Sequence, residues 1–319
     1  MTDEITSSDV VVAGCDGSWY SLRAVSVAVR EAAARRAAVL LLAVARPTTA
    51  SRLMELRAAE AAEVARAVAI VKRAASLARV ADPTVLVETL VVTSAEDPRM
   101  TALADRAFLL VLGSHGGGGQ SAFSLASTSD ELVHRLRVPV LVPGAEQRLP
   151  LPVTEQVRTR VKVGWRPETD HPDLLRLAAR EAALREMGLE VVAASRGAAR
   201  DTVDQTQHAV WRALRAIPEC AAVPVHVVVL EAPALTALLL GARPGDLVVV
   251  GTRGGGTLAG LVRDSVARGV LDDAPCDVLV LPSGVSAERA GAPDGPAGLV
   301  VRRARPPRSA ASQRMASAT

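Results

Sequence analysis

FLLVLGSHGGGGQSAFSLAS, Phe108–Ser127, is the stretch whose reading decides the fold of this chain. An apolar run ends in Gly113, Gly116 stands three positions on, and three more glycines follow it. Nine spacer residues then separate Gly116 from Ala126 and Ser127, where a helical pattern opens (SDELVHRLR, Ser129–Arg137). A strand that feeds a glycine-rich loop and closes on a helix N-terminus presents backbone N–H groups to an anion, phosphate above all. Asp246–Ser265, DLVVVGTRGGGTLAGLVRDS, repeats the pattern with Gly251 and Gly254 at the same spacing.

Working outward from these two loops, the chain alternates strand and helix. Asp9–Gly14 (DVVVAG) is a short buried-type strand, and Ser18–Arg36 carries apolar residues at helical spacing. Ala38–Ala45 reads as a strand and Ser51–Arg79 as a helix stopped before Asp82-Pro83. Strands are expected at Thr84–Val92, Phe108–Gly113 and Val138–Pro143, with helices at Asp97–Arg106 and Ser127–Arg137. Strict alternation of apolar strands with helices implies a parallel sheet covered on both faces, with right-handed crossovers. Pro139 places the fifth strand at a sheet edge.

The order then starts again. REAA at 30–33 recurs at 180–183, and VPVLVP at 138–143 is answered by CDVLVLP at 276–282. This is a tandem duplication. The expected boundaries are a short extension at 1–8, a first domain at 9–144, a linker at 145–157, a second domain at 158–284 and an Ala/Pro/Arg-rich disordered tail at 285–319. Each domain is expected to be a five-stranded parallel α/β sheet of Rossmann-like topology, flanked by helices.

Composition agrees with that class and narrows the function. Of 319 residues 49% are hydrophobic but only 2% aromatic, so the core is built from Val, Leu and Ala, as parallel strands buried on both faces require. No uninterrupted apolar run is long enough for a membrane span, and the polar, acidic N-terminus (MTDEITSSD) does not resemble a secretory signal. Cytoplasmic residence is the expectation. Cys15, Cys220 and Cys276 are odd in number and far apart, which suits buried thiols and neither a disulfide framework nor a metal site. The net charge of +3 is concentrated in the tail: six arginines from Arg289 onward against Glu288 and Asp294 leave the folded part close to neutral. Nucleic-acid binding is therefore not expected, and the tail reads as a solvated end.

Two familiar phosphate motifs are excluded. A Walker A loop needs a lysine, and the chain has only Lys72 and Lys162, neither in a glycine loop. A GxGxxG dinucleotide turn follows the first strand, whereas these glycines follow the fourth. No HExxH, Ser/His/Asp set or paired carboxylates stand out, so no catalytic residue is assigned. His115 inside the first loop reads as a solvent-facing histidine, Trp19 and Trp165 as packing near the first strand of each half, and Trp211 as unconnected to either loop.

What remains is G-x-x-G, nine residues, then [G/A]-S after the fourth strand, with an acid after the first. This resembles the universal stress protein family, over residues 9–143 and 158–282. The resemblance implies the fold of adenine nucleotide alpha hydrolase-like domains and, in its ATP-binding members, a nucleotide held with a divalent metal. The nucleotide-binding residues it implies are Asp16 and Val44 on the adenine side, and Gly113, Gly116, Ala126 and Ser127 on the ribose and phosphate side. ATP, with Mg²⁺, is the implied cofactor. Ala126 departs from the family's usual glycine.

The second copy departs further. Asp16 is replaced by Arg166, and the pair Ala126-Ser127 by Asp264-Ser265, while Gly251 and Gly254 keep the turn. An aspartate beside a phosphate is repulsive, so this is a degenerate site. Arg166 is available either to pair with Asp264 or to reach toward an anion. The implied function is a stress-type sensor or regulator whose first domain binds ATP, with slow hydrolysis at most and a structural or regulatory second domain. The alternative is a nucleotide-independent interaction scaffold of the same fold. Pairing through the fifth strands, between the two halves as a pseudo-dimer or between two chains as a homodimer, is expected, along with an unknown protein partner.

Overall fold

The computed structural model describes residues 9–45, 53–94, 96–114, 128–144, 159–166, 170–195, 200–252 and 265–287. In the first half β1 is Val10–Gly14, α1 Trp19–Arg35, β2 Ala38–Val44, α2 Leu53–Ala81, β3 Val87–Val92, α3 Pro98–Arg106, β4 Ala107–Val111, α4 Thr128–Leu136 and β5 Val140–Val142. In the second, β6 is Arg160–Gly164, α5 Pro172–Leu184, β7 Gly188–Ala194, α6 Arg200–Arg215, β8 Val225–Leu230, α7 Ala234–Leu239, β9 Leu247–Gly251, α8 Ser265–Asp273 and β10 Asp277–Leu281. A 3₁₀ turn at Pro218–Ala222, not expected from the sequence, follows α6.

All ten strands join one sheet in the order β3-β2-β1-β4-β5-β10-β9-β6-β7-β8. Within each half the pairs are parallel, and the halves meet where β10 runs antiparallel to β5, Leu279 opposite Leu141. Pro139 therefore precedes a strand that is the edge of its own half but lies inside the combined sheet. The edge is satisfied by the other half rather than by solvent. The remaining edges are β3 and β8.

Alternation along the strands builds two cores, one on each face. Val11 and Ala13 face α1, α2, α5 and α6, and Val10 and Val12 face the side that carries α3, α4, α7 and α8. Both cores run continuously through both halves. The helices lie close to the sheet because their inner stripes are small: Ala24, Val25, Ala28, Val29 and Ala32 on α1 are all fully buried. α1 is capped by Ser18, whose hydroxyl accepts from the Ser21 N–H at 3.1 Å, and ends with Arg36 at φ 54. The three cysteines are buried and free, and burial pushes the Cys15 thiol up to about 12, Cys220 to about 11 and Cys276 to about 12.

A buried ring of charge crosses the junction. Arg35 of α1 pairs with Glu181 of α5 at 2.6 Å, Arg185 at the C-terminal cap of α5 pairs with Glu31 of α1 at 2.8 Å, and each arginine also pairs with the glutamate four residues before it. Arg35 and Glu181 are each 3% exposed. The ring is the spatial form of the REAA repeat. Beside it, Asp277 Oδ1 accepts from the Gly144 N–H at 3.0 Å, and a methyl on Gly144 would come within 2.4 Å of the Cys276 carbonyl oxygen. Only glycine allows the two halves' backbones to approach so closely. No helix among the described residues is long and apolar enough to cross a membrane.

Candidate functional site

In each half the strand order reverses direction beside the first strand: β1 has β2 on one side and β4 on the other, and β6 has β7 and β9. Chain connections leave in opposite directions there, opening a crevice at the strands' C-terminal ends where ligands of open α/β sheets bind. The register places the first-half residues along this rim. Gly14 is level with Leu42 and Ala13 with Val111, so Asp16, Val44 and Gly113 stand almost side by side on three neighbouring strands. Asp16 is exposed, and Val44 and Gly113 are half-buried. Asp16 Oδ1 accepts from the Ser18 N–H at 2.8 Å, which fixes its carboxylate at the entrance to α1. Gly116, Ala126 and Ser127 lie outside the described residues, as does His115.

Gly113 has a packing role that the motif does not reveal. A methyl there would lie 2.7 Å from the Tyr20 carbonyl carbon and 2.8 Å from its Cβ. The first turn of α1 is seated on the place a side chain would occupy. Trp19, next to it, is 74% exposed at the rim, while Trp165, its counterpart in the general reading of the two tryptophans, is 5% exposed and belongs to the core.

The second half arranges the same rim differently. Arg166, Ala194 and Gly251 occupy the places of Asp16, Val44 and Gly113, and Gly254 and Asp264 lie outside the described residues. Ser265 is the first residue of α8. The Arg166 N–H donates to Asp170 Oδ2 at 2.6 Å, and the Asp170 N–H returns to the Arg166 carbonyl at 3.0 Å, which makes a closed turn before α5. His171 caps α5, its Nδ1 accepting from the Asp173 N–H at 3.3 Å. A cavity of about 610 Å³ opens here, lined by Trp165, Arg166, Leu174, Val192, Leu238 and Gly251 among others. Lys162, fully buried on β6, holds one wall in place: its Nζ donates to the Leu240 carbonyl at 2.6 Å at the end of α7 and pairs with Glu190 at 3.1 Å.

Sequence reasoning named Arg166 and Gly251 here as a degenerate site but did not anticipate an open cavity. Its one signal is Pro172, which starts α5 later than the 150-residue offset from α1 would place it. Among the described residues no group of three His, Cys, Asp or Glu side chains could hold a metal ion. In the first half Asp16 and Val44 set an exposed carboxylate and a strand-end backbone at one level of the rim.

Comparison with known proteins bears on both halves. A family model, the universal stress protein family, matches residues 8–143 and 161–282. A universal stress protein from Archaeoglobus fulgidus is similar in structure over 87% of this chain and 99% of its own, at 18% identity and a TM-score of 0.62. A universal stress protein solved in complex with cAMP aligns with 42% of this chain and 95% of its own, at 28% identity and a TM-score of 0.31. Another from Archaeoglobus fulgidus, in complex with dAMP, aligns with 39% of this chain and 98% of its own, at 21% identity and a TM-score of 0.31. No curated protein matches the chain significantly. Matched along both repeats and sharing the fold of a two-domain relative, the chain belongs to the universal stress protein family.

Proposed function

We propose that the first half binds ATP and that the protein is a cytoplasmic stress-type regulator, reporting nucleotide occupancy to a protein partner rather than turning substrate over. The observation that carries this reading is the alignment of Asp16, Val44 and Gly113 at one level of the crevice beside β1. Asp16 would accept from the base or sugar, the backbone beside Val44 would meet the adenine edge, and the loop from Gly113 to Ser127 would surround the phosphates with the metal they carry. Calorimetric titration with ATP and Mg²⁺ tests it, with Asp16→Ala as the control. Binding by the parent that weakens at least about tenfold in the variant, the scale of one or two lost charge-assisted hydrogen bonds, is expected. Absence of binding, or equal affinity in both proteins, contradicts the reading.

One observation favours the second reading, a scaffold that works without nucleotide. Gly113 is required by the Tyr20 backbone whether or not a ligand is present. Under this reading the purified protein carries no nucleotide and its partner binds equally well with and without ATP.

A further inference from the structure

The cavity of the second half lies beside the N-terminal end of α5, where the two halves differ. In the first half α1 begins five residues after β1 ends, and its first turn covers Gly113. In the second half α5 begins eight residues after β6 ends, and among the described residues the nearest atom to a methyl on Gly251 would be Leu174 Cδ2 at 3.4 Å. α5 starts later and meets Gly251 with the Leu174 side chain, in ordinary van der Waals contact, where α1 meets Gly113 with its backbone. A volume of about 610 Å³ is within the range of small-molecule sites.

The chemistry of the wall is selective. Arg166 lines the cavity, and its guanidinium has no hydrogen-bond or ion-pair partner among the described residues. The neighbouring acids are already engaged: Asp173 is held by Arg176 at 2.8 Å and by His171 at 3.3 Å, and Asp170 by the Arg166 N–H. Trp165, Val192, Leu238 and Val250 supply apolar surface. One guanidinium, unpartnered among the described residues, above an apolar floor fits one negative charge on an apolar body. A triphosphate would bring several charges toward Asp170 and Asp173 as well, where like charges repel. A guanidinium also matches a carboxylate in planar, two-pronged geometry.

We propose that this cavity is a second ligand site, taking a small monocarboxylate with an aromatic or aliphatic body whose carboxylate rests on Arg166. It is separate from the nucleotide reading of the first half and stands if that reading fails. The probe is 1-naphthoate, titrated calorimetrically into the full chain, with 1-(hydroxymethyl)naphthalene as its uncharged counterpart. One naphthoate per chain is expected, with the alcohol bound at least about tenfold more weakly, as loss of a charge-assisted hydrogen bond implies. Arg166→Met lowers naphthoate affinity by a similar factor, and Ala194→Trp, placed on the exposed rim of the cavity, blocks it. Asp16→Ala and saturating ATP leave it unchanged. No naphthoate binding, equal affinity for acid and alcohol, affinity unaltered in Arg166→Met with an unchanged melting temperature, or displacement by ATP would each overturn the proposal.

Discussion

A methyl group on Gly113 would press within 2.7 Å of the Tyr20 backbone, so Gly113→Ala forces α1 off the sheet before any ligand is considered. The expected cost is about 1–3 kcal/mol, the scale of overpacking at a close contact, read as a lower urea midpoint without nucleotide. An unchanged midpoint would mean that α1 yields freely there. Asp277 shows the opposite kind of constraint. Burial raises its carboxyl above the ordinary carboxylate range, against the pull of the Gly144 N–H and of Arg30 and Arg23. The folded chain therefore holds this proton more tightly than the unfolded chain does. Its contribution to stability is complete below the unfolded value of about 4 and is lost as pH rises through the raised folded one. Asp277→Asn keeps an acceptor for Gly144 and should flatten that decline above about pH 4; a slope like the parent's would locate the pH dependence elsewhere.

Helix ends are where the two halves differ and where single elements can be improved. Arg36 closes α1 at φ 54, and Glu186, 150 residues on, takes φ 54 after α5. Neither is glycine, so both carry the strain of a left-handed backbone with a side chain. Arg36 is exposed, and Arg36→Gly is expected to raise stability by about 0.5–1 kcal/mol in thermal or urea unfolding; a loss would show that its side chain contributes more than the strain costs. Element order and type were readable throughout, because buried strands of Val and Leu and Ala-striped helices carry strong periodicity. The late start of α5 was not, since a three-residue shift at a helix N-terminus changes no periodicity and only Pro172 marks it.

The duplication was legible as repeated letters, but its consequence appears only when the halves are joined. REAA marks a pair of helices; in three dimensions its glutamates and the following arginines close a ring across the junction. Removing one member leaves an arginine buried with half its partners, so Glu181→Ala is expected to cost about 3–5 kcal/mol in global unfolding. A loss below about 1 kcal/mol would assign the junction to the β5–β10 pair alone. Gly113 was named from the spacing of a motif, and Asp16 and Val44 from the resemblance that the motif carries; the register sets the three at nearly one level of the rim. Their equivalence to Arg166, Ala194 and Gly251 depends on register, and the difference in what those positions can hold depends on chemistry. At this scale the molecule is one sheet with two unlike crevices, the first proposed for a nucleotide and the second for another ligand. Calorimetric stoichiometry tests that asymmetry most directly. One ATP per chain is predicted, abolished or strongly weakened by Asp16→Ala and unaffected by Arg166→Met; two ATP per chain, or binding lost with Arg166 and kept without Asp16, would contradict it.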